Sequence, residues 1–332
     1  MFWPGVTPPT MDASAAIDSG MREQTPDRAA AEAHRLCELL RGADIAFKKI
    51  DSLIRGPTLA EIAVCVRAGF WRSCVLAPAF PFQQRLTRGG RQYARLNGEW
   101  TLVSADLAAE LRNLGVPARR SASGADLQPD VNVCDAETDD DLRAIVSHTT
   151  QSAEPVLWIG TGGLAQAMAH DHCQPATHPL PRPVLGLFGS DQPATADQLA
   201  AWPEHRVEIE ADAFDDVIGR LVAPGLVLVS FRLAAGLSRT AAAARIATSI
   251  EALVARIDPP GTIVVAGGET LRSLCDATDA RSLLVTGRLM PGVPLSIIQG
   301  GRWNGVTVVS KSGAFGPPDL LSNLLLNQEP TP

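Results

Sequence analysis

Long apolar runs are missing from this sequence: none approaches the ~20 residues that a membrane-spanning helix needs. The opening stretch, MFWPGVTPPT, contains three prolines and no basic segment before an apolar core, so it does not match a secretory signal peptide. The six cysteines include no C-x-x-C pair, which is typical of reduced thiols and not of a disulfide framework. These absences predict a cytoplasmic protein.

Clustered positive charge is also missing. The formal net charge is −7, with 29 Lys and Arg against 36 Asp and Glu, which argues against a broad nucleic-acid-binding surface. A small basic pocket for one anionic substrate remains compatible with this balance. The phosphate-binding pattern G-x-x-x-x-G-K-[ST] does not occur, so the chain is not a P-loop protein. We therefore expect small-molecule ligands and neither nucleic acid nor membrane as partner.

Apolar runs alternate with helical patterns along most of the chain. TLAEIAVCVRAGF (58–70) has helical spacing, and SCVLAPAFP (73–81) reads as a buried strand. PLSIIQGGRWNGVTVVSKSG (294–313) predicts a β-hairpin with Asn-Gly in the turn. This alternation over 332 residues predicts an α/β protein of two three-layer domains with mostly parallel sheets and a ligand cleft between them. The proline-rich stretch 170–183 suggests a division into domains 1–178 and 179–332.

A strand, then glycines, then a helix occurs four times. The stretches are VLWIGTGGLAQAMA, VLGLFGSDQPATADQL, IVVAGGETLRSL and VVSKSGAFGPPDLLSN. Ligands of open α/β sheets bind beyond the carboxyl ends of the strands, where helix N-termini present free N–H groups. Bare glycine backbone in such a turn lets N–H groups approach a phosphate. A single turn of this kind is compatible with simple chain reversal, but four favour a ligand site.

The GTGGLA turn (160–165) admits a second interpretation. Gly160, Gly162 and Ala165 satisfy the relaxed dinucleotide fingerprint, and Asp191 lies near the end of the next predicted strand. This pattern supports an alternative function, a nicotinamide- or flavin-dependent oxidoreductase.

Three further stretches carry chemistry. SKSGAFGPPD (310–319) places Lys311 beside bare backbone, which suits a phosphate, and KKIDSLIRG (48–56) surrounds a strand end with charged groups. HDHCQPATH (170–178) holds three histidines and a cysteine but lacks a zinc-ligand spacing, so we predict that it binds no required metal.

Taken in order, these stretches resemble the four-carbon acid sugar kinase family. The matching pieces are KKIDSLIRG, VLAPAFPFQQRLTRGG, IGTGGLA, LFGS, GGET, MPGVP and SKSGAFGPPDLL. The resemblance implies a sugar-acid-binding N-terminal domain, a nucleotide-binding C-terminal domain, and ATP-dependent phosphorylation of threonate, erythronate or 3-oxo-tetronate with Mg²⁺. It further implies that the nucleotide is bound by Ser190, Gly267, Gly268, Glu269, Thr270, Gly313 and Gly316.

For the sugar acid, we expect contacts from Lys49, Ser52, Arg85, Gly162 and Gly163. Asp51, Arg55 and Lys311 are the candidate catalytic residues: Arg55 for the substrate carboxylate, Asp51 for the attacking hydroxyl and Lys311 for the phosphates. Family members open with an Asp-Asp-Leu-Thr-Gly-Ala turn that has no match here, so we expect this chain to bind ATP·Mg²⁺ but to turn over threonate- or erythronate-like acids slowly or not at all. The alternatives are the oxidoreductase and a non-catalytic nucleotide-binding remnant. A homodimer is a further hypothesis.

Overall fold

A computed structural model describes residues 1–3, 14–96, 98–122, 125–150, 154–169, 179–210 and 214–326. The described chain forms two compact units. We call residues 19–169 the N-terminal unit, and residues 1–3, 14–18 and 179–326 the C-terminal unit. The domain limits predicted from the sequence stay a prediction. The structure adds that the first residues of the chain belong to the C-terminal unit.

The N-terminal unit is built on a parallel sheet of five strands in the order β1-β8-β2-β7-β6. Its elements in chain order are α1 (Pro26–Cys37), β1 (Ala46–Lys49), α2 (Thr58–Arg67), β2 (Ser73–Ala77), β3 (Arg85–Arg88), β4 (Arg91–Leu96), β5 (Glu99–Asp106), α3 (Leu107–Asn113), β6 (Ala118–Ser121), β7 (Asp130–Cys134), α4 (Asp139–Thr149), β8 (Val156–Gly160) and α5 (Gly162–Ala169).

Helices cover both faces of this sheet, as its continuous apolar strands predict. Alternate residues of β2 enter two different cores: Cys74 and Leu76 pack in one, and Val75 and Ala77 in the other. All five residues of β2 are buried, which is expected only for a central strand with helices on each side. The three-layer arrangement is therefore present in this unit.

A separate antiparallel sheet, β3-β4-β5, was not predicted from the sequence. Its inner side carries two fully buried polar residues, Thr87 and Gln92, and the Thr87 hydroxyl donates to Gln92 Oε1 at 2.8 Å. Its far end, by contrast, is exposed, including Trp100 and Leu102. Because only part of this sheet is buried, its strands lack a continuous apolar pattern.

The C-terminal unit has a seven-stranded sheet in the order β10-β11-β9-β12-β15-β14-β13. The strands from β10 to β15 in that order are parallel, and β14 and β13 add antiparallel neighbours. In chain order the elements are β9 (Val184–Phe188), α6 (Pro193–Ala200), β10 (Arg206–Ile209), α7 (Asp215–Val222), β11 (Leu226–Phe231), α8 (Arg239–Val254), β12 (Thr262–Ala266), α9 (Gly268–Ala277), β13 (Ser282–Met290), β14 (Val293–Gln299), β15 (Thr307–Lys311) and α10 (Leu320–Leu326).

This sheet is also covered on both faces. In β12, Ile263 and Val265 face one core while Val264 and Ala266 face the other. Trp3 packs into the first of these cores, and the backbone of Met1 exchanges hydrogen bonds with Leu283 at the edge strand β13. The N-terminal residues therefore complete a unit whose strands come from the second half of the chain.

The predicted hairpin after β13 is an antiparallel pair, β14 and β15, as expected. Its connection is longer than a two-residue Asn-Gly turn: Gly300 N–H donates to Asn304 Oδ1 at 2.7 Å, and Gly305 N–H donates to Ile298 O at 2.9 Å. Asn304 and Gly305 thus close a wider loop.

The described cysteines Cys37, Cys65, Cys74, Cys134 and Cys275 are buried free thiols, as the sequence predicted. Burial raises the pKa of the Cys74, Cys134 and Cys275 thiols to about 12, which makes them poor nucleophiles. Among the described helices, none combines the length and apolar content that crossing a bilayer requires.

Candidate functional site

Three neighbouring strands of the C-terminal unit end side by side. Phe188 of β9 and Lys311 of β15 are both register partners of Ala266 in β12. The loops that follow carry Ser190, Gly267–Thr270 and Lys311–Gly316, which are the stretches predicted to bind the nucleotide. The structure therefore brings these three predicted segments to one edge of one sheet.

The loop after β12 leads directly into α9. Gly267 has φ of +101°, a conformation that L side chains rarely adopt, and its N–H donates to Lys311 O at 3.0 Å. As N-cap of α9, Gly267 offers no side chain to the first-turn N–H groups. Thr270 is buried and Glu269 is exposed. A Cβ added at Gly268 would meet nothing within 4 Å, so this position faces open space beside uncapped helix N–H groups.

Ser190 and Gly313 lie against each other across this edge. A Cβ at Gly313 would overlap Ser190 Oγ, so only glycine fits there with the serine in place. Similarly, a Cβ at Gly189 would lie 2.6 Å from Thr270 Oγ1. Gly316 has φ of +96°, and a side chain there would collide with Leu320. The loops are thus packed on one another through bare backbone.

Lys311 is the cation of this edge. It is 5% exposed, and its Nζ donates to Ser312 O at 3.0 Å. Burial lowers the pKa of the Lys311 ammonium to about 8. Among the described residues, no carboxylate forms an ion pair with Lys311. Its charge is therefore available to an anionic ligand.

The N-terminal unit repeats this arrangement with β1, β8 and β2, which are also neighbours in their sheet. Ile50 N–H, just after β1, donates to Gly160 O at 2.8 Å. Thr161 Oγ1, just after β8, donates to Ala79 O at 2.7 Å in the loop after β2. The predicted sugar-acid segments are therefore joined at one edge.

Asp51 is the anionic centre of that edge. Its carboxylate is 8% exposed and accepts hydrogen bonds from Arg55 Nη2 at 2.7 Å and Leu53 N–H at 2.8 Å, with Arg22 Nη2 at 3.3 Å. Burial alone would raise the pKa of this carboxyl, but the bonds from Arg55 and Leu53 outweigh it, and the pKa is lower than usual. Asp51 is thus held as a carboxylate that orients Arg55.

Arg85 supplies a further guanidinium. Burial of the Arg85 guanidinium and its electrostatic repulsion by Arg55 lower the pKa of Arg85. Arg85 Nε is buried and makes no hydrogen bond to a described residue. Three guanidinium groups, those of Arg22, Arg55 and Arg85, lie around the Asp51 carboxylate, which leaves positive charge for a ligand.

The other predicted sugar-acid residues lie on the same loops. Lys49 is exposed at the end of β1, where its Nζ donates to Ile50 O at 2.9 Å. Ser52 O accepts a hydrogen bond from Gln92 Nε2 at 3.0 Å. Lys48, the neighbouring lysine, is instead paired with Glu61.

Gly162 and Gly163 start α5 under tight packing. A Cβ at Gly163 would lie 2.6 Å from Ala79 O, and one at Gly162 would lie 3.0 Å from the Phe80 ring. The Gly163 N–H donates to Thr161 Oγ1 at 3.1 Å. These glycines therefore serve close packing of α5, whatever further contact they make with a ligand.

The dinucleotide interpretation of residues 160–165 is wrong on topology. A dinucleotide fingerprint needs the next strand to continue the same sheet, with an acidic residue at its end. Here β8 belongs to the five-stranded sheet, whereas the next strand, β9, which precedes Asp191, belongs to the seven-stranded sheet. The sequence pattern was met, but the βαβ unit behind it is absent from the described fold.

Four site residues were missed from the sequence: Gln92, Thr161, Thr195 and Gln198. Each is at most 1% exposed and hydrogen-bonds a backbone carbonyl of a ligand loop. Gln92, Thr195 and Gln198 carry no local signal, because a polar residue inside a strand or helix pattern looks like a solvent-facing one. Thr161 lies within the GTGGLA turn, but its hydrogen bond to Ala79, 82 residues away, cannot be read from that turn.

Metal ligands do not converge in the described part of the chain, where no three His, Cys, Asp or Glu side chains cluster. The histidines of 170–178 lie outside the described residues, so the prediction that they bind no metal stays a prediction. Mg²⁺ is commonly held by one or two carboxylates together with substrate phosphates. The loops described above carry two such groups, Asp191 and Glu269.

Comparison with known families matches both halves of the chain. Residues 6–109 match the family described as "Sugar-binding N-terminal domain", and residues 225–321 match "Nucleotide-binding C-terminal domain".

Individual proteins give the same picture. A D-threonate kinase from Cupriavidus necator is 30% identical over 91% of this chain and 84% of its own length. One from Bordetella bronchiseptica is 28% identical over 92% and 84%. The crystal structure of a Haemophilus influenzae protein of the DUF1537 family matches with a TM-score of 0.70 at 15% identity, covering 97% of this chain and 92% of that one. This last likeness concerns the fold alone.

Proposed function

The chain belongs to the four-carbon acid sugar kinase family, and on that premise we propose that it transfers the γ-phosphoryl group of ATP to a hydroxyl of a four-carbon sugar acid. The relatives named above are D-threonate kinases, so D-threonate is the first substrate to test. Erythronate and 3-oxo-tetronate are the alternatives within the same class.

One observation carries the nucleotide half of the proposal. At the edge formed by β9, β12 and β15, Lys311 is buried without a carboxylate partner among the described residues, beside the open backbone of Gly268. A buried, unpaired cation next to uncapped helix N–H groups is an unfavourable arrangement until an anion joins it. A polyphosphate supplies that anion. Because Gly313 has no side chain, its loop can lie against Ser190, and the two loops are close enough to bind the same polyphosphate.

The sugar-acid half rests on the surplus of positive charge at β1 and β2. Arg22, Arg55 and Arg85 lie around the carboxylate of Asp51. A guanidinium binds a carboxylate through two parallel hydrogen bonds, so Arg55 is suited to hold the acid group of the substrate while Lys49 adds charge at the strand end. Asp51 keeps Arg55 oriented and accepts hydrogen bonds from substrate hydroxyls.

Phosphoryl transfer requires mainly positioning and neutralisation of charge. In this chain, Lys311 neutralises phosphate charge, and the N–H groups at the start of α9 hold phosphate oxygens. Mg²⁺, when bound, offsets the remaining charge on the phosphates, with Asp191 and Glu269 as the carboxylates within these loops. The lowered pKa of Asp51 makes it a weak base, so its role is to orient the attacking hydroxyl.

The test is a coupled assay of ADP release with D-threonate, combined with calorimetry of ATP·Mg²⁺ binding. Gly268→Val places a branched side chain where phosphate must approach, and we expect ATP affinity to fall at least tenfold. Gly219→Val is the matched control, because Gly219 lies in α7 and a Cβ there also meets nothing within 4 Å. Unchanged ATP affinity in folded Gly268→Val would show that the phosphates of ATP do not bind at this loop. ATP binding without turnover of any four-carbon acid would instead favour a non-catalytic protein.

A further inference from the structure

Two buried side chains of α6 hold the carbonyl groups of the loop that follows Lys311. Thr195 Oγ1 donates to Gly313 O at 2.7 Å. Gln198 Nε2 lies 3.0 Å from Phe315 O, 3.1 Å from Gly316 O and 3.0 Å from Pro317 O. Thr195 and Gln198 are three residues apart, on one face of the helix, and are 1% and 0% exposed. This loop therefore turns its carbonyl oxygens toward α6.

The direction of these carbonyls fixes the direction of the N–H groups. In a planar trans peptide the N–H points opposite to the C=O. The N–H of Ala314 is opposite to Gly313 O, and the N–H of Gly316 is opposite to Phe315 O, so both point away from α6. Neither N–H makes a hydrogen bond to a described residue, and Ala314 is exposed.

The other peptide groups from position 315 to position 318 do not compete for this role. The N–H of Phe315 closes a turn on Ser312 O at 3.1 Å. Positions 317 and 318 are prolines and have no N–H. Between positions 314 and 318, the loop thus presents two N–H donors, those of Ala314 and Gly316, on the side away from α6.

The Gln198 amide is oriented by this network. Turned the other way, its Oε1 would face three carbonyl oxygens, which is repulsive. In the observed orientation Oε1 is buried and makes no hydrogen bond to a described residue. A leucine would fill the same space without this unsatisfied acceptor. The hydrogen bonds that Gln198 Nε2 donates to the loop therefore offset the cost of burying Oε1 without a partner among the described residues.

We propose that Thr195 and Gln198 are positioning residues for phosphate binding: they hold the loop 312–317 with its carbonyls inward, so that the N–H groups of Ala314 and Gly316 join Lys311 as donors to the polyphosphate of ATP. This inference rests on the proposed kinase function. It adds that the phosphate affinity of the loop is set by two buried side chains of α6 that bind the carbonyl groups of the loop.

Isosteric variants test the proposal. Thr195→Val removes the hydroxyl donor without changing the shape of the side chain, and Thr195→Ser restores the donor. Gln198→Met removes the amide while keeping its length. Thr278→Val is the matched control: Thr278 is fully buried in the same unit, and its Oγ1 also donates to a backbone carbonyl, Leu274 O at 2.8 Å, at the end of α9.

The measurements are the affinities for ATP·Mg²⁺ and for inorganic tripolyphosphate, together with the midpoint of thermal unfolding. We expect Thr195→Val to weaken both ligands by a similar factor, roughly tenfold, and Thr195→Ser to stay within about twofold of the parent chain. Thr278→Val is expected to lower the unfolding midpoint without changing either affinity. If Gln198→Met does not fold, the two Thr195 variants still decide.

Three results would overturn the inference. Thr195→Val could bind ATP as tightly as the parent chain, it could lose ATP affinity while keeping that for tripolyphosphate, or Thr278→Val could weaken both ligands equally. A parent chain that binds neither ligand would refute the proposed function itself, and the inference would fall with it. That outcome is distinguishable because it appears before any substitution is made.

Discussion

Lys311 is a buried cation, and burial disfavours the protonated form of its side chain. With its pKa lowered to about 8, the ammonium is protonated at neutral pH and loses its proton just above it. Only the protonated form attracts phosphate. We therefore expect ATP affinity to be constant below about pH 7 and to weaken from pH 8 upward, because bound phosphate must then also restore the proton.

Calorimetry of ATP·Mg²⁺ binding between pH 6.5 and 9.5 measures this dependence. Lys311→Arg keeps a charge that does not titrate in this range, so its affinity is expected to stay flat with pH. The stability of the protein without ATP is also expected to depend on pH. Since the unfolded lysine titrates near its ordinary value and the folded one near 8, the unfolded state binds more protons between these values, and stability rises with pH there. A pH-independent affinity in the parent chain would contradict the role of Lys311.

Asp51 allows a distinction between orienting a partner and accepting a proton. Asp51→Asn keeps the shape but removes the charge that holds Arg55, so we expect the KM for D-threonate to rise about tenfold with ATP affinity unchanged. If Asp51 accepted the proton in the reaction, kcat would instead fall by about 100-fold or more.

Asp216→Asn is the control for this substitution. Asp216 pairs with Arg220 four residues later, as Asp51 does with Arg55, but on an exposed helix. Steady-state kinetics of both variants in D-threonate and in ATP separate the two roles. An unaltered KM for the acid in Asp51→Asn would remove Arg55 from the substrate site.

The sequence predicted ligand residues that sit in the ligand loops and missed those that hold these loops. Gly267 and Gly268 are recognisable because two glycines after an apolar strand are a local signal. Gln198 is not, because the carbonyl that explains it, Phe315 O, lies 117 residues away in the chain. A resemblance to a family extended the list only to residues inside matched motifs.

The β3-β4-β5 sheet is the element that joins the sugar-acid loops. From its buried side, Gln92 Nε2 donates to Ser52 O at 3.0 Å in the loop after β1 and to Pro78 O at 3.1 Å after β2. We predict that Gln92→Met raises the KM for D-threonate severalfold while leaving ATP affinity unchanged. Only the sugar-acid loops lose the hydrogen bonds that Gln92 donates to them.

Asn132→Leu is the matched control for Gln92→Met. Asn132 is also fully buried and donates from its amide to backbone carbonyls, including Gln128 O at 2.8 Å, but Gln128 precedes β7, whereas the sugar-acid loops follow their strands. Its loss is expected to lower the unfolding temperature without changing the KM. An equal rise of KM in both variants would mean that Gln92 serves stability alone.

Strands were predicted where burial covers both sides and missed where it covers one. β2 and β12 are continuous apolar runs, so their sequences predict strands directly. β3 (RLTR) and β4 (RQYARL) contain four arginines, and two of their four buried positions are the polar residues Thr87 and Gln92. Their strand pairing follows from contacts with loops far away in the sequence, which no window of residues contains.

At the scale of the whole molecule, the two units have separate cores and separate predicted ligand edges. Each ligand is therefore expected to stabilise its own unit. In hydrogen–deuterium exchange of the full chain, we predict that ATP·Mg²⁺ slows exchange in peptides covering 184–191, 262–271 and 307–317. D-threonate is expected to slow exchange in 50–57 and 78–92. Protection of both sets by either ligand alone would contradict independent binding.

The order of strands in the N-terminal unit also has a consequence in time. β8 lies between β1 and β2, so the first two strands made cannot pair with each other and must wait for the third partner. Lys49 pairs with Gly160, and at typical synthesis rates the intervening stretch of about 110 residues takes roughly 5–20 s to emerge from a ribosome. During that interval the edges of β1 and β2 that later pair with β8 have no partner strand. The sheet is completed only when this late strand enters between them, so these two strand edges are unpaired and open to aggregation in the newborn chain and are paired in the complete fold.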